Sequence, residues 1–221
     1  MILVDIFSYF FLVPGLLFTN AMRDIIFGDT NSGVNRIVQV LLIAAAIALG
    51  TGASLTVFNF LWHHVTVSEP LIHPAWIQCL GAAIGCIGFS IFFNIHGPGG
   101  WLCTLGGILS WASYLFIMHF TGNEVGSFFI AAIVSAVYAE IMARIRKYPA
   151  ISYLVVALFP LLPGAGIYYS ANYLFQGTMD HFSEKAGQTI AIAGVLAVGV
   201  LMVSTIVRFI TVWKSRKKQI S

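Results

Sequence analysis

Pro160, Pro163, Gly164 and Gly166 crowd into the stretch Ala157-Leu158-Phe159-Pro160-Leu161-Leu162-Pro163-Gly164-Ala165-Gly166-Ile167-Tyr168-Tyr169, inside a long apolar run. Each proline lacks the N–H that a helix uses, and each glycine removes side-chain bulk. A break of this kind leaves backbone N–H and C=O groups free. In a bilayer such groups persist only where protein or a polar cavity receives them. The chemistry on offer is hydrogen bonding to a small polar ligand, with the partial positive charge of a helix N-terminus favouring an anionic group. The same residues also suit a plain kink that helps helices pack.

A second copy stands near the N-terminus, in Phe11-Leu12-Val13-Pro14-Gly15-Leu16-Leu17-Phe18-Thr19-Asn20. Aligning Pro14-Gly15 on Pro163-Gly164 also places Gly28 on Gly177 and Arg36 on Lys185. A short polar stretch follows each copy, and then a long apolar run, 38–57 in one case and 190–207 in the other. Interrupted spans at corresponding places in two halves point to a transporter-type binding site.

The elements that position these groups are membrane helices. Of 221 residues, 59% are hydrophobic and 9% charged. Soluble domains carry about 25% charged residues, and a chain this short has no soluble core able to absorb so much apolar surface. The net charge of +3 gathers in Arg144-Ile145-Arg146-Lys147 and Lys214-Ser215-Arg216-Lys217-Lys218. Basic residues flanking spans mark the cytoplasmic side, and with no soluble fold to present them they do not indicate nucleic acid. Cys79, Cys86 and Cys103 lie in or beside apolar segments and read as buried small apolar side chains. His63, His64 and His73 read as interfacial histidines, since no carboxylate–histidine arrangement accompanies them. No metal site, cofactor or nucleophile–base pair is expected, and so no enzyme.

About seven spans of the length a bilayer needs are expected, near 2–18, 34–60, 74–93, 101–119, 124–144, 150–174 and 188–213. Gly81 and Gly85 make a small-residue pair for close packing, and Gly106-Gly107 is expected to loosen the middle of its helix. With the basic tail cytoplasmic, the C-terminus is inside and the N-terminus outside. The first and sixth spans then run in opposite directions, an inverted repeat. The fold expected is all-α, a polytopic helical membrane protein with a partial inverted-repeat transporter fold and Pro-Gly broken helices. Residues 1–60 would be the last two helices of a first five-helix repeat, 61–73 an extracytoplasmic linker, 74–213 a complete second repeat, and 214–221 a basic cytoplasmic tail.

Val13-Pro14-Gly15-Leu16-Leu17-Phe18-Thr19-Asn20, followed by Arg23-Asp24 and Gly28-Asp29, resembles the end of the first membrane half of the threonine/serine exporter family. Residues 77–208, with Phe159-Pro160-Leu161-Leu162-Pro163-Gly164, resemble that family's second half. The resemblance implies a secondary transporter, or a subunit of one, that exports threonine and serine across the bacterial inner membrane with proton coupling. Full members have a cytosolic N-terminal domain and a longer first half. The departure implies either a second subunit supplying helices, a homo-oligomer, or an inactive truncated exporter. A membrane assembly or regulatory subunit without its own pathway is the rival reading.

For a small hydroxylated zwitterion, the backbone at Gly15 and at Gly164 to Gly166 suits the carboxylate. Thr19, Asn20, Tyr168, Tyr169 and Asn172 are candidates for side-chain hydrogen bonds. Arg23, Asp24 and Asp29 are candidate coupling or gating groups, with Asp5 and Glu124 as weaker ones. The plain alternative for Arg23 and Asp29 is ordinary interfacial charge.

Overall fold

The structure, a computed structural model, describes residues 15–26, 28–62, 74–95, 97–175 and 177–220. All regular elements among them are helical: α1 (Gly15–Ile26), α2 (Thr30–Trp62), α3 (Ala75–Phe92), α4 (Pro98–Thr121), α5 (Glu124–Arg146), α6 (Ala150–Leu158), a 3-10 turn (Phe159–Leu161), α7 (Gly164–Phe175) and α8 (Met179–Ile220). Four of these, α3, α4, α5 and the Met179–Thr211 part of α8, are long and apolar enough to cross a membrane. The α6–α7 pair adds a fifth if it counts as one bent span. The protein is thus an all-α, multi-pass membrane protein. Most of the first expected span, and Asp5 with it, lies outside the described residues.

Helix ends follow local chemistry. α4 starts with Pro98 in its first turn, where a missing N–H costs nothing. It ends at Gly122, left-handed at φ 62°, whose N–H donates to the Met118 carbonyl at 2.9 Å. The Asn123 side chain accepts the Gly126 N–H at 3.0 Å and so caps α5. Glu124 in the first turn of α5, with Arg144 and Arg146 in the last, suits the helix dipole. The sixth span breaks where the sequence reading expected, into α6, a 3-10 turn and α7, because Pro160 and Pro163 deny it successive N–H groups. One boundary differs from the sequence reading. The polar link after Gly177 is helical from Met179, since Thr178 opens the next helix by accepting the Phe182 N–H at 3.0 Å. The resulting α8 has 42 residues, about 63 Å at 1.5 Å per residue, roughly twice a hydrocarbon core of about 30 Å.

The described chain forms two compact units. One holds α3 to α6, the 3-10 turn and α8 from Gly194. Lipid is as apolar as leucine, so contacts here depend on van der Waals fit and small residues rather than on water exclusion. Gly106 faces the Tyr138 ring and the Ala157 methyl, and Gly107 lies directly under the Cys86 sulfur. The pair expected to loosen α4 instead brings it against α3, α5 and α6. Gly85 lies under the Phe159 ring, which packs on Phe89 with ring centres 3.6 Å apart, while Gly81 faces open space. Gly199 of α8 meets Ala132 of α5. Several polar groups inside this unit are paired in ways that need no ligand, although the Trp111 Nε1 is buried with no hydrogen-bond partner among the described residues. The Ser110 and Ser135 hydroxyls, both fully buried, lie 2.6 Å apart. The Tyr138 hydroxyl donates to the Leu102 carbonyl at 2.6 Å. Cys86 and Cys103 are buried free thiols beside the Val156 and Ser152 carbonyls, as their apolar setting led one to expect. Trp76, Trp101, Phe116, Phe120 and Phe209 are widely exposed, the surface of a protein solvated by lipid.

Candidate functional site

The other unit contains α1, α2, α7 and α8 up to Ala193. Its core joins both Pro-Gly copies: Phe18 of α1, Val40 of α2, Ile167 of α7 and Ala193 of α8 pack as one buried cluster. The two hairpins that meet there share a local design. α1 and α7 each have 12 residues and each begin on the glycine of a Pro-Gly pair. The N–H of Gly28 donates to the Ile25 carbonyl and that of Asp29 to the Asp24 carbonyl, both at 3.0 Å. In the second hairpin Gly177 donates to Leu174 and Thr178 to Tyr173, both at 3.1 Å. These are two Schellman endings, with left-handed Gly28 and Gly177 at φ 88° and 74°. Each next helix opens with the same bond, Gly33 to Asp29 and Phe182 to Thr178, both at 3.0 Å. The repeat suggested by a few matched residues is therefore repeated in backbone geometry within one unit.

The hairpins differ where side chains meet. Across the first, the Arg36 guanidinium pairs with the Asp24 carboxylate. In the second, Tyr173 takes the place of Asp24 and stacks on His181 at 5.5 Å. Lys185, in the place of Arg36, donates to the Gln188 side chain at 3.0 Å. In the second hairpin Gly166 lies directly against the Thr189 hydroxyl, where the first has Leu17 and Val40 at the corresponding positions. Thr189 is almost fully buried, and its hydroxyl donates to the Lys185 carbonyl at 2.6 Å. One turn along α7, the buried Ser170 hydroxyl donates to the Gly166 carbonyl at 2.7 Å.

α7 begins with a tight turn about Pro163. The Gly164 N–H donates to the Leu162 carbonyl at 2.7 Å, and the Ile167 N–H to the Pro163 carbonyl at 3.3 Å. The first N–H groups of a helix have no intrahelical acceptor. At α7 this leaves the Ala165 and Gly166 N–H groups without a backbone acceptor among the described residues. Gly15 holds the corresponding place on α1. Asn20, Tyr168 and Tyr169 are half-buried on their short helices, and the two tyrosine rings meet edge to face at 5.4 Å. Thr19 lies on α1 and Asn172 on α7, with side chains outside the described residues. Glu124 sits in the first turn of α5, in the other unit.

Asp29 is exposed and caps α2, its carboxylate accepting the Ser32 N–H at 3.3 Å. The Ser32 hydroxyl first, and then its N–H, hold the Asp29 carboxyl below its usual range. A lowered folded-state pKa adds stability that is present above the unfolded value, about 3.9, and is lost as pH falls through the folded one. Asparagine would keep the cap without the titration. Melting curves of wild type and Asp29→Asn are therefore expected to diverge only as pH falls below the ordinary carboxylate range. Divergence at neutral pH would show that the Asp29 charge does more than cap the helix.

Arg36, Thr189 and Ser170 escaped the sequence reading. Opposite charges on either side of the Gly28 turn could have flagged Arg36. The polar-for-apolar exchange of Val40 for Thr189 in the aligned repeat could have flagged Thr189.

An all-helical, multi-pass protein with duplicated short helices, each starting at a Pro-Gly pair, has the build of a membrane transporter. The chain belongs to the threonine/serine exporter family: residues 78–206 match the family described as Threonine/Serine exporter, ThrE, and residues 6–58 match a second threonine/serine exporter family. No curated protein and no solved structure gave a match.

Proposed function

We propose that this protein, alone or with a second subunit or a second copy of itself, exports threonine and serine across the cytoplasmic membrane in exchange for protons. The C-terminus lies in the cytoplasm and the N-terminus outside, and the two hairpins run in opposite directions across the bilayer. The observation that carries this reading is the duplicated hairpin, in a chain whose two family matches both name threonine/serine exporters. The site is the first turn of α7, where the Ala165 and Gly166 N–H groups lack a backbone acceptor among the described residues, beside the Ser170 and Thr189 hydroxyls. A small hydroxy amino acid offers donors and acceptors matched to such a turn, and a bulky side chain has no place where Thr189 already touches Gly166. Asn20, Tyr168 and Tyr169 supply further hydrogen bonds, with Thr19 and Asn172 from the same short helices. The Asp24–Arg36 pair ties the first hairpin together and is the candidate coupling or gating group.

Proteoliposomes loaded with labelled threonine provide the test. The full chain is expected to speed efflux over empty vesicles, more so under an imposed pH gradient and less so with a protonophore. Unlabelled serine should compete, and valine much less. Efflux equal to that of empty vesicles, both for the chain alone and for the chain with its co-purifying partners, would sink the proposal.

A further inference from the structure

The α1–α2 hairpin carries two carboxylates and two cations, and these do not all pair. Its carboxylates are Asp24 and Asp29, and its cations Arg23 and Arg36. Asp24 is engaged by Arg36, and Asp29 caps α2 in the open. Arg23 is half-buried and has no carboxylate partner among the described residues, and its Nε is buried with no hydrogen-bond partner among them. A donor N–H shut off from water and left unpaired is costly, so its persistence calls for an acceptor that comes and goes. The position of Arg23 in the last turn of α1 accounts for its sign, because the helix dipole favours a cation there. It does not account for the unpaired Nε. In the second hairpin the corresponding residue is Asn172, so both short helices carry a polar side chain at this place. Arg23 also shares its compact unit with the first turn of α7.

We propose that Arg23 is the anchor for the carboxylate of the transported amino acid. A guanidinium presents parallel N–H donors and a full charge to a carboxylate, whereas helix N–H groups offer only partial charge. This moves the carboxylate from the helix N-termini, where the sequence placed it, to Arg23, and leaves the first turn of α7 to the amino acid's other polar groups. The assignment rests on the amino-acid transport reading.

The test is equilibrium binding of labelled threonine to the purified full chain in lipid nanodiscs, with threoninol, which lacks the carboxylate, as competitor. Wild type is expected to prefer threonine strongly. Arg23→Gln should weaken threonine about 10- to 100-fold, the scale of a hydrogen bond to a charged group. It should leave threoninol unchanged, so the preference collapses. Arg23→Lys, which keeps the charge and loses the fork, should fall between. A merely structural role would weaken both ligands alike. If Arg23→Gln cannot be purified folded, the preference measured for Arg23→Lys decides. Unchanged threonine affinity and preference in the variants would overturn the Arg23 assignment while the transport reading stands. A wild type that binds neither threonine nor serine would overturn that reading, and the Arg23 role with it.

Discussion

Gly166→Ala is expected to reduce threonine efflux severely at unchanged membrane abundance, and Gly166→Val to abolish it. A β-carbon at 166 would coincide with the Thr189 hydroxyl and lie 3.1 and 3.2 Å from its Cγ2 and Cβ. Rotating Thr189 does not clear the space. Its Cβ is itself too close, its χ1 is stiff in a helix, and its hydroxyl is held by the Lys185 carbonyl. α7 and α8 must therefore move apart. Overpacking of this sort costs about 1–3 kcal/mol, against which alanine regains roughly 1 kcal/mol in helix propensity over glycine. The net stability loss for Gly166→Ala is small, so a large loss of transport would locate function at this contact. Adding Thr189→Ala removes the clashing oxygen and methyl and should recover part of the efflux. Gly166→Ala with wild-type efflux per folded molecule would remove the first turn of α7 from the site.

Gly107→Leu is expected to do the opposite, removing the protein from the membrane rather than silencing it. Its β-carbon position is taken by the Cys86 sulfur, with the Cys86 Cβ at 3.3 Å and the Val156 backbone carbonyl at 3.6 Å behind it. On the preceding residue the Tyr138 ring and Ala157 close over Gly106. Leucine has no exit among these groups, so α3 and α6 must separate from α4. The cost is expected at or above the top of the range of about 1–3 kcal/mol for overpacking. That is a large share of the roughly 5–15 kcal/mol by which proteins exceed their unfolded states. A fluorescent fusion should show membrane abundance falling several-fold, with the surviving fraction melting earlier. Cys86→Gly in the same chain should restore part of both. Gly81→Leu, facing open space, should change neither and serves as the control.

These two glycines show how far local pattern reaches. The Gly106-Gly107 pair reads equally well as a loose point or as a tight seam, because its partners Cys86, Tyr138, Val156 and Ala157 come from three other helices. Gly166 was legible as part of a helix break. That it touches Thr189 was not, since nothing in the spacing of α7 says which face of α8 returns to it. Asp29 looked like a coupling group by its charge, and the structure shows it capping α2 through Ser32. Asp24 and Arg36 flank a turn whose geometry depends on Gly28 adopting a left-handed φ, and only that turn brings them together.

What the sequence determined by itself is what lipid enforces on any chain. Little charge and long apolar runs require spanning helices, because a bilayer offers backbone groups no other way to be satisfied. Two proline–glycine pairs must interrupt that pattern wherever they fall, so the repeat of short helices was visible before any contact was known. Tertiary structure alone decided the pairings: Arg36 with Asp24, Thr189 against Gly166, Phe18 and Ile167 in one core, and Arg23 left over. Spans and breaks depend on residues close in the chain, whereas pairings depend on distances of a few ångström between residues far apart in it.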